Sequence, residues 1–202
     1  MAEHSRYNVT NKKAGLQDGV LKNKLGITKQ KELEDAETIL LSDAYEFFTS
    51  KDNLNAFHFD VTFLFFIHKY FLGTLYDWAG TVREVDMSKG SMLFASVKHL
   101  PSSLKCLDTV LDENIPSEKD TKKIIAEKFA YIHNEYNAVH PFREGNGRTI
   151  RLFLDMLALR FGFAMIDWSS KTKDDYMKAC IAGAVGNHKL MGGFILKRLR
   201  QK

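Results

Sequence analysis

Cysteine is scarce: two in 202 residues, Cys106 and Cys180. They lack metal-ligand spacing and are too few for a disulfide framework, so a disulfide scaffold and a zinc module are both excluded and a reducing compartment is expected. Charge of one sign is also lacking. The net charge of +4 and pI near 8.9 come partly from the tail Lys197 to Lys202 and are too weak to indicate nucleic acid. No part of the chain is low-complexity, and no internal repeat is evident. The amino terminus, Met1 to Arg6, is polar with no apolar leader, and the cytoplasm is the expected location. The most apolar stretch, Ala56 to Leu72, is interrupted by His58, Asp60, His68 and Lys69. A membrane span needs about 20 mostly uncharged apolar residues, so this reads as a buried core helix.

What is present is ordinary globular material, with 45% hydrophobic and 27% charged residues. The length suits one domain, expected over 1–202 with its core from about 20 to 200 and an irregular amino-terminal extension. Residues 1 to 27 read as irregular. A helix is predicted from Thr28 to Phe48, where Leu33, Ala36, Leu40, Ala44, Phe47 and Phe48 follow a helical period. The aromatic helix should start after a cap at Asn53 or Asn55 and stop at Gly73. From Arg83 to Phe94 alternation replaces the helical period, and Ser88-Lys89-Gly90-Ser91 supplies turn chemistry for a short hairpin. Helices resume near His99-Leu100-Pro101 and break at Asn114-Ile115-Pro116. Ser117 is then the expected cap of a helix whose core face is Ile125, Phe129, Ile132 and Tyr136. A helix apolar on most sides, Leu152 to Phe161, should lie at the centre of the fold, and a last helix is expected around Leu190 to Leu199. The fold class that follows is all-α, a mainly helical bundle around that buried helix with a short β-hairpin.

The segment from His140 to Arg151 reads His-Pro-Phe-Arg-Glu-Gly-Asn-Gly-Arg-Thr-Ile-Arg and leads into the central helix. Polyphosphate is well held by open N–H groups at a helix start. Gly145, Asn146 and Gly147 suit this, because glycines allow close approach and positive φ, and Asn146 offers a side-chain amide. Arg148 and Arg151, three apart, should share a face and reach the same phosphates. Glu144 offers a hard oxygen to Mg²⁺, or else favours the helix dipole. His140, preceding Pro141, should be extended and able to take a hydroxyl proton. Phe142 should plug into the core. The glycines do not form a P-loop, since the GK[ST] ending and a preceding strand are missing.

This segment resembles the HPFx[DE]GNGRxxR signature of the Fic family at every defined position, and the likeness extends from about Leu21 to the final helix. The resemblance implies a Fic fold and a Mg²⁺-dependent protein adenylyltransferase that moves AMP from ATP to a hydroxyl of a target protein. In that reading His140 is the base, Glu144 the metal ligand, and Arg148 the contact to the β- and γ-phosphates, with Arg151 supporting that end. Pro141 and Phe142 fix the motif. The hairpin becomes a target-docking flap with Lys89, Gly90 and Ser91 at its tip and a free edge for strand addition, and Asn187 is the candidate on the adenine side. Related Doc-type kinases carry lysine at the position of Gly147, so glycine favours adenylyl transfer.

Many family members are restrained by a helix with the pattern [ST]xxxE[GN]. The match here, Thr109 to Asn114 with Glu113, lies between flap and motif, away from either terminus. The expectation is therefore a chain uninhibited on its own and restrained by a separate small antitoxin-like protein, with the basic tail either solvated or docking an acidic partner. Alternatives are a catalytically silent ATP sensor, or a transferase of another nucleotide or phosphoryl group.

Overall fold

The computed structural model describes residues 8–9, 15–17, 19–90, 92–169 and 173–202. The amino-terminal segment is not wholly irregular. It supplies β1 (Asn8–Val9), β2 (Leu16–Gln17) and β3 (Val20–Leu21), the last two paired antiparallel around Gly19 at φ 84. Strands of two residues are too short to leave a period-2 signal, which is why the sequence pattern missed them.

Helix α1 (Gln30–Thr49) buries Leu33, Glu37, Ala44 and Phe48. The cap expected at Asn53 or Asn55 is instead Asp60, whose Oδ1 accepts from Phe63 N at 2.8 Å and starts α2 (Val61–Leu72). Asn53 is spent on the end of α1, where its Nδ2 donates to Phe47 O at 3.0 Å. Phe57 and Phe59 thus precede the helix yet join its core. Phe57 stacks on Phe63 with ring centroids 4.7 Å apart, and Phe48 sits edge-on to Phe57, Phe63 and Phe66. The aromatics are therefore the seam between α1 and α2, each buried ring contributing about 1.5–3 kcal/mol.

The hairpin forms as β4 (Met87–Lys89) and β5 (Met92–Leu93), with Gly90 at φ 60. Ser91 lies outside the described residues. The flap is not a plain two-stranded ribbon, because β1 pairs with β4 (Asn8 opposite Ser88, Val9 opposite Met87) and the sheet order is β1-β4-β5. The edge of β4 is covered and β5 is an outer strand.

Helix α3 (Leu100–Asn114) follows a single 3-10 turn and carries Pro101 in its first turn, where no N–H is needed. Glu113 is exposed near its end. Helix α4 (Lys122–Val139) is capped by Thr121, whose hydroxyl accepts from Ile124 N, rather than by Ser117. Ser117 N donates to Asp120 Oδ2 at 2.8 Å, so residues 117–120 close a turn of their own before the helix. Helix α5 (Asn146–Arg160) is central and packs against α1, α2 and α4. Ile150, Leu152, Phe153, Leu154, Met156, Leu157 and Ala158 are all buried, as an all-round apolar helix requires. Helices α6 (Lys173–Ala184) and α7 (Lys189–Arg198) pack on each other and on α4. The basic tail is tied down: Ala164 N donates to Arg200 O and Lys202 N to Gly162 O. Among the described residues no helix is long and apolar enough to cross a membrane.

Candidate active site

Helix α4 ends at His140, which is left-handed (φ 49, ψ 62), with its N–H donating to Tyr136 O at 2.8 Å. The extended conformation expected before Pro141 is not adopted. A following proline disfavours only the α region, and a helix closing through a left-handed residue takes the other allowed basin. Phe94, just past β5, stacks on the imidazole with centroids 3.7 Å apart. Burial first, and then the charges of Arg83 and Lys89, push the His140 pKa down to about 3, so the ring is neutral near pH 7.

Arg83 was not singled out from sequence, yet it fixes this corner. Its guanidinium is buried, and Nε donates to His140 O at 2.8 Å, Nη1 to Val85 O at 2.7 Å, and Nη2 to Ala95 O and Val139 O. It satisfies terminal carbonyls of α4 while tying both roots of the flap to them. Arg83 N also donates to Pro141 O, and Ala95 N to Ala138 O.

Loop 140–145 is then locked from within. Phe142 is fully buried between the His68 ring (3.7 Å, stacked) and Phe65 (4.8 Å, edge-on). His68 was also missed. Its Nδ1 accepts from Gly80 N, so Nε2 carries the proton and donates to Glu144 O at 2.9 Å. Asn146 clasps the loop: Oδ1 accepts from Phe142 N at 2.9 Å and Nδ2 donates to Phe142 O at 2.7 Å. One of the two Nδ2 protons is therefore spent on the loop itself, because a tight turn must satisfy its own backbone first. What Asn146 and Gly147 offer is main-chain N–H groups in the first turn of α5, beyond reach of any earlier helical carbonyl. Gly145 permits the turn at φ 82.

The two arginines take different neighbours. Arg148 Nη1 donates to Glu37 Oε2 at 2.7 Å, its Nη2 lies 3.5 Å from Glu144 Oε1, and its guanidinium sits 5.5 Å from the centre of the Phe71 ring. Arg151 folds back along α5, so that a Cβ added at Gly147 would meet its Nη1 at 3.2 Å, and it lies 5.8 Å from the Tyr176 ring centre. A shared reach toward one phosphate chain is thus modified: Arg151 overhangs the helix start, whereas Arg148 is engaged by carboxylates. Glu144 Oε1 also accepts from Gly145 N at 2.9 Å. Among the described residues no three metal-ligating side chains cluster. One hard carboxylate next to the N-terminus of α5 is a donor set that Mg²⁺ accepts when substrate oxygens complete its shell. Lys89 is exposed on β4 and near enough to His140 to affect its charge. Asn187 is exposed in the α6–α7 turn with Oδ1 accepting from Lys189 N at 3.2 Å.

The buried histidines predict an acid-labile fold. Burial holds His68 and His133 at about 4 and His140 at about 3. Below about pH 6.5 the unfolded chain binds protons that the folded chain does not, so stability falls as pH drops toward 4. Asp155, pushed up to about 6 by burial, works in the opposite direction, but it is one group against three. Thermal unfolding from pH 7.5 to 4.5 should show a steadily falling Tm. A constant Tm across that range would contradict these assignments.

A model described as the Fic/DOC family matches residues 58–158, half of the chain. Over 91% of its length the chain is 33% identical to the protein adenylyltransferase VbhT of Bartonella schoenbuchensis, of which it spans 38%. It is 29% identical, over 83% of its length, to the probable protein adenylyltransferase Fic of Escherichia coli K12, of which it spans 82%. Among solved structures, BepC of Bartonella tribocorum with bound AMPPNP superposes with a TM-score of 0.76 at 26% identity, covering 94% of this chain and 97% of that one. The helical architecture and the family match agree: the chain belongs to the Fic/DOC family.

Proposed function

We propose that this chain is a protein adenylyltransferase that moves AMP from ATP to a Ser, Thr or Tyr hydroxyl of a target protein. The observation that carries the reading is that one locked loop, residues 140–145, joins a buried neutral imidazole to the open N-terminus of α5. His140 takes the hydroxyl proton as that oxygen bonds to the α-phosphorus. The bond from phosphorus to the bridging oxygen breaks, and pyrophosphate leaves. Main-chain N–H groups of Asn146 and Gly147 and the Arg151 guanidinium hold the phosphates. Bound Mg²⁺ would neutralise phosphate charge, and Glu144 is the residue that would hold it. Arg148, paired with Glu37, serves the same end of the phosphate chain.

A target segment adds to the outer strand β5, main-chain hydrogen bonds presenting its hydroxyl, with Lys89 and Gly90 at the turn and Ser91 the third candidate for docking. Asn187 is the contact proposed for the adenine side. A separate inhibitory protein restrains the enzyme, and its place of action is the cytoplasm.

The purified chain, with Mg²⁺ and lysate proteins, should transfer label from α-labelled but not γ-labelled ATP. Glu113→Gly, altering an exposed residue of α3, should leave the rate unchanged. Label from γ-labelled ATP alone would mean phosphoryl transfer and contradict the reading, and a sharp rise with Glu113→Gly would contradict restraint by a separate protein.

A further inference from the structure

Glu37 has no role in the motif and lies 111 residues from the arginine it binds. On α1 it is 4% exposed, a burial that a carboxylate tolerates only when paired. Both oxygens are used: Oε1 accepts from the buried Tyr76 hydroxyl at 2.6 Å and Oε2 from Arg148 Nη1 at 2.7 Å. The other end of the same guanidinium faces Glu144 Oε1 at the longer distance of 3.5 Å. The side chains are 5%, 12% and 10% exposed for Glu37, Arg148 and Glu144, so these charges act on one another with little screening.

We infer that Glu37 is a positioning residue that holds Arg148 away from Glu144 and so keeps the Glu144 carboxylate available to a divalent cation. The inference rests on the transferase reading above. The chain Tyr76–Glu37–Arg148–Glu144 draws in elements well separated in sequence, and within it the shorter contact of Arg148 is to Glu37, not to Glu144. Two carboxylates around one guanidinium leave a net negative charge beside the start of α5. In Glu37→Gln that charge is lost. Arg148 then turns its full ion pair onto Glu144 and competes with the cation for the same oxygens. With one carboxylate in place of two around Arg148, the cluster repels anions less, so metal-free nucleotide should bind no worse. Carboxylates that orient a metal ligand from behind typically change metal affinity by about 10–100-fold.

The test is calorimetric titration of a non-hydrolysable ATP analogue into the full chain over a series of Mg²⁺ concentrations, for wild type, Glu37→Gln and Tyr76→Phe. Glu37→Gln should raise the Mg²⁺ concentration for half-maximal tightening at least ~10-fold, with metal-free affinity equal to or higher than wild type. Tyr76→Phe, which removes only the hydroxyl behind Glu37, should shift it in the same direction by a smaller factor and reads the inference even if Glu37→Gln fails to fold. Unchanged Mg²⁺ dependence in a folded variant, or equal loss of binding with and without metal, would overturn it. So would tighter binding at every Mg²⁺ concentration, which would make Glu37 a mask over Arg148. Failure of the wild type to bind the analogue at all would instead overturn the transferase reading on which the inference stands.

Discussion

Replacing His140 by alanine is expected to reduce AMP transfer by about 10²–10⁴-fold, the usual contribution of a positioned general base, while nucleotide affinity stays near wild type. Binding and chemistry separate because the N–H groups proposed for the phosphates are at the start of α5, whereas the imidazole sits at the other end of the loop on the terminus of α4. Alanine carries a complication at this position. The backbone is left-handed at φ 49, and a residue with Cβ there costs roughly 1–2 kcal/mol. Asparagine tolerates that region better and has no titrating base. His140→Asn should therefore match the alanine variant in lost transfer and exceed it in thermal stability. Transfer retained within a fewfold in either variant would mean that the proton goes elsewhere.

Gly145→Ala is the second large effect, and it acts on the pocket itself. At φ 82 the added Cβ is strained, and it would meet Leu72 Cδ1 at 2.8 Å and both His68 Nε2 and the Phe71 ring at 3.2 Å. The neighbours cannot yield cheaply, since Leu72, His68 and Phe71 are fully buried and His68 is bonded to Glu144 O and Gly80 N. Left-handed strain of about 1–2 kcal/mol and overpacking of about 1–3 kcal/mol together predict a loss of about 2–5 kcal/mol. For a chain of this size that lowers Tm by about 5–15 °C. Shifting Gly145 also moves the first N–H groups of α5, so nucleotide binding should fall together with stability. A variant with wild-type Tm and wild-type nucleotide binding would show that the turn is not the anion cradle described here.

A family signature written in contiguous residues was legible. The motif from His140 to Arg151 needs no distant partner to be read, and α5 announces its central place by being apolar on nearly every side. The hairpin was legible from its turn residues, whereas the alternation over 83–86 falls on residues that form no strand. What escaped was set by contacts across the chain. Arg83 looks like an ordinary charged residue until it meets the carbonyls of Val139 and His140, 56 and 57 positions away. His68 lies in an aromatic run, and its partners are the main chains of Gly80 and Glu144. Glu37 reads as one of several acids on an amphipathic helix, and only burial against Tyr76 and Arg148 sets it apart. The side chain of Asn146 illustrates the converse limit. Its place in the motif suggests a donor to ligand, and its contacts with both the N–H and the C=O of Phe142 add a loop-holding role that the sequence did not signal. The pairing of β1 with β4 was equally invisible, since a two-residue strand has no pattern to find.

The central claim is that the bond formed joins a protein hydroxyl to the α-phosphorus of ATP with His140 as base. Tandem mass spectrometry of a protein modified by the wild-type chain and Mg²⁺-ATP, compared with the His140→Asn reaction, tests it most directly. The expected result is an AMP ester on a serine, threonine or tyrosine that is lost with the variant. A phosphate at that hydroxyl, or an AMP adduct formed equally by both proteins, would contradict it.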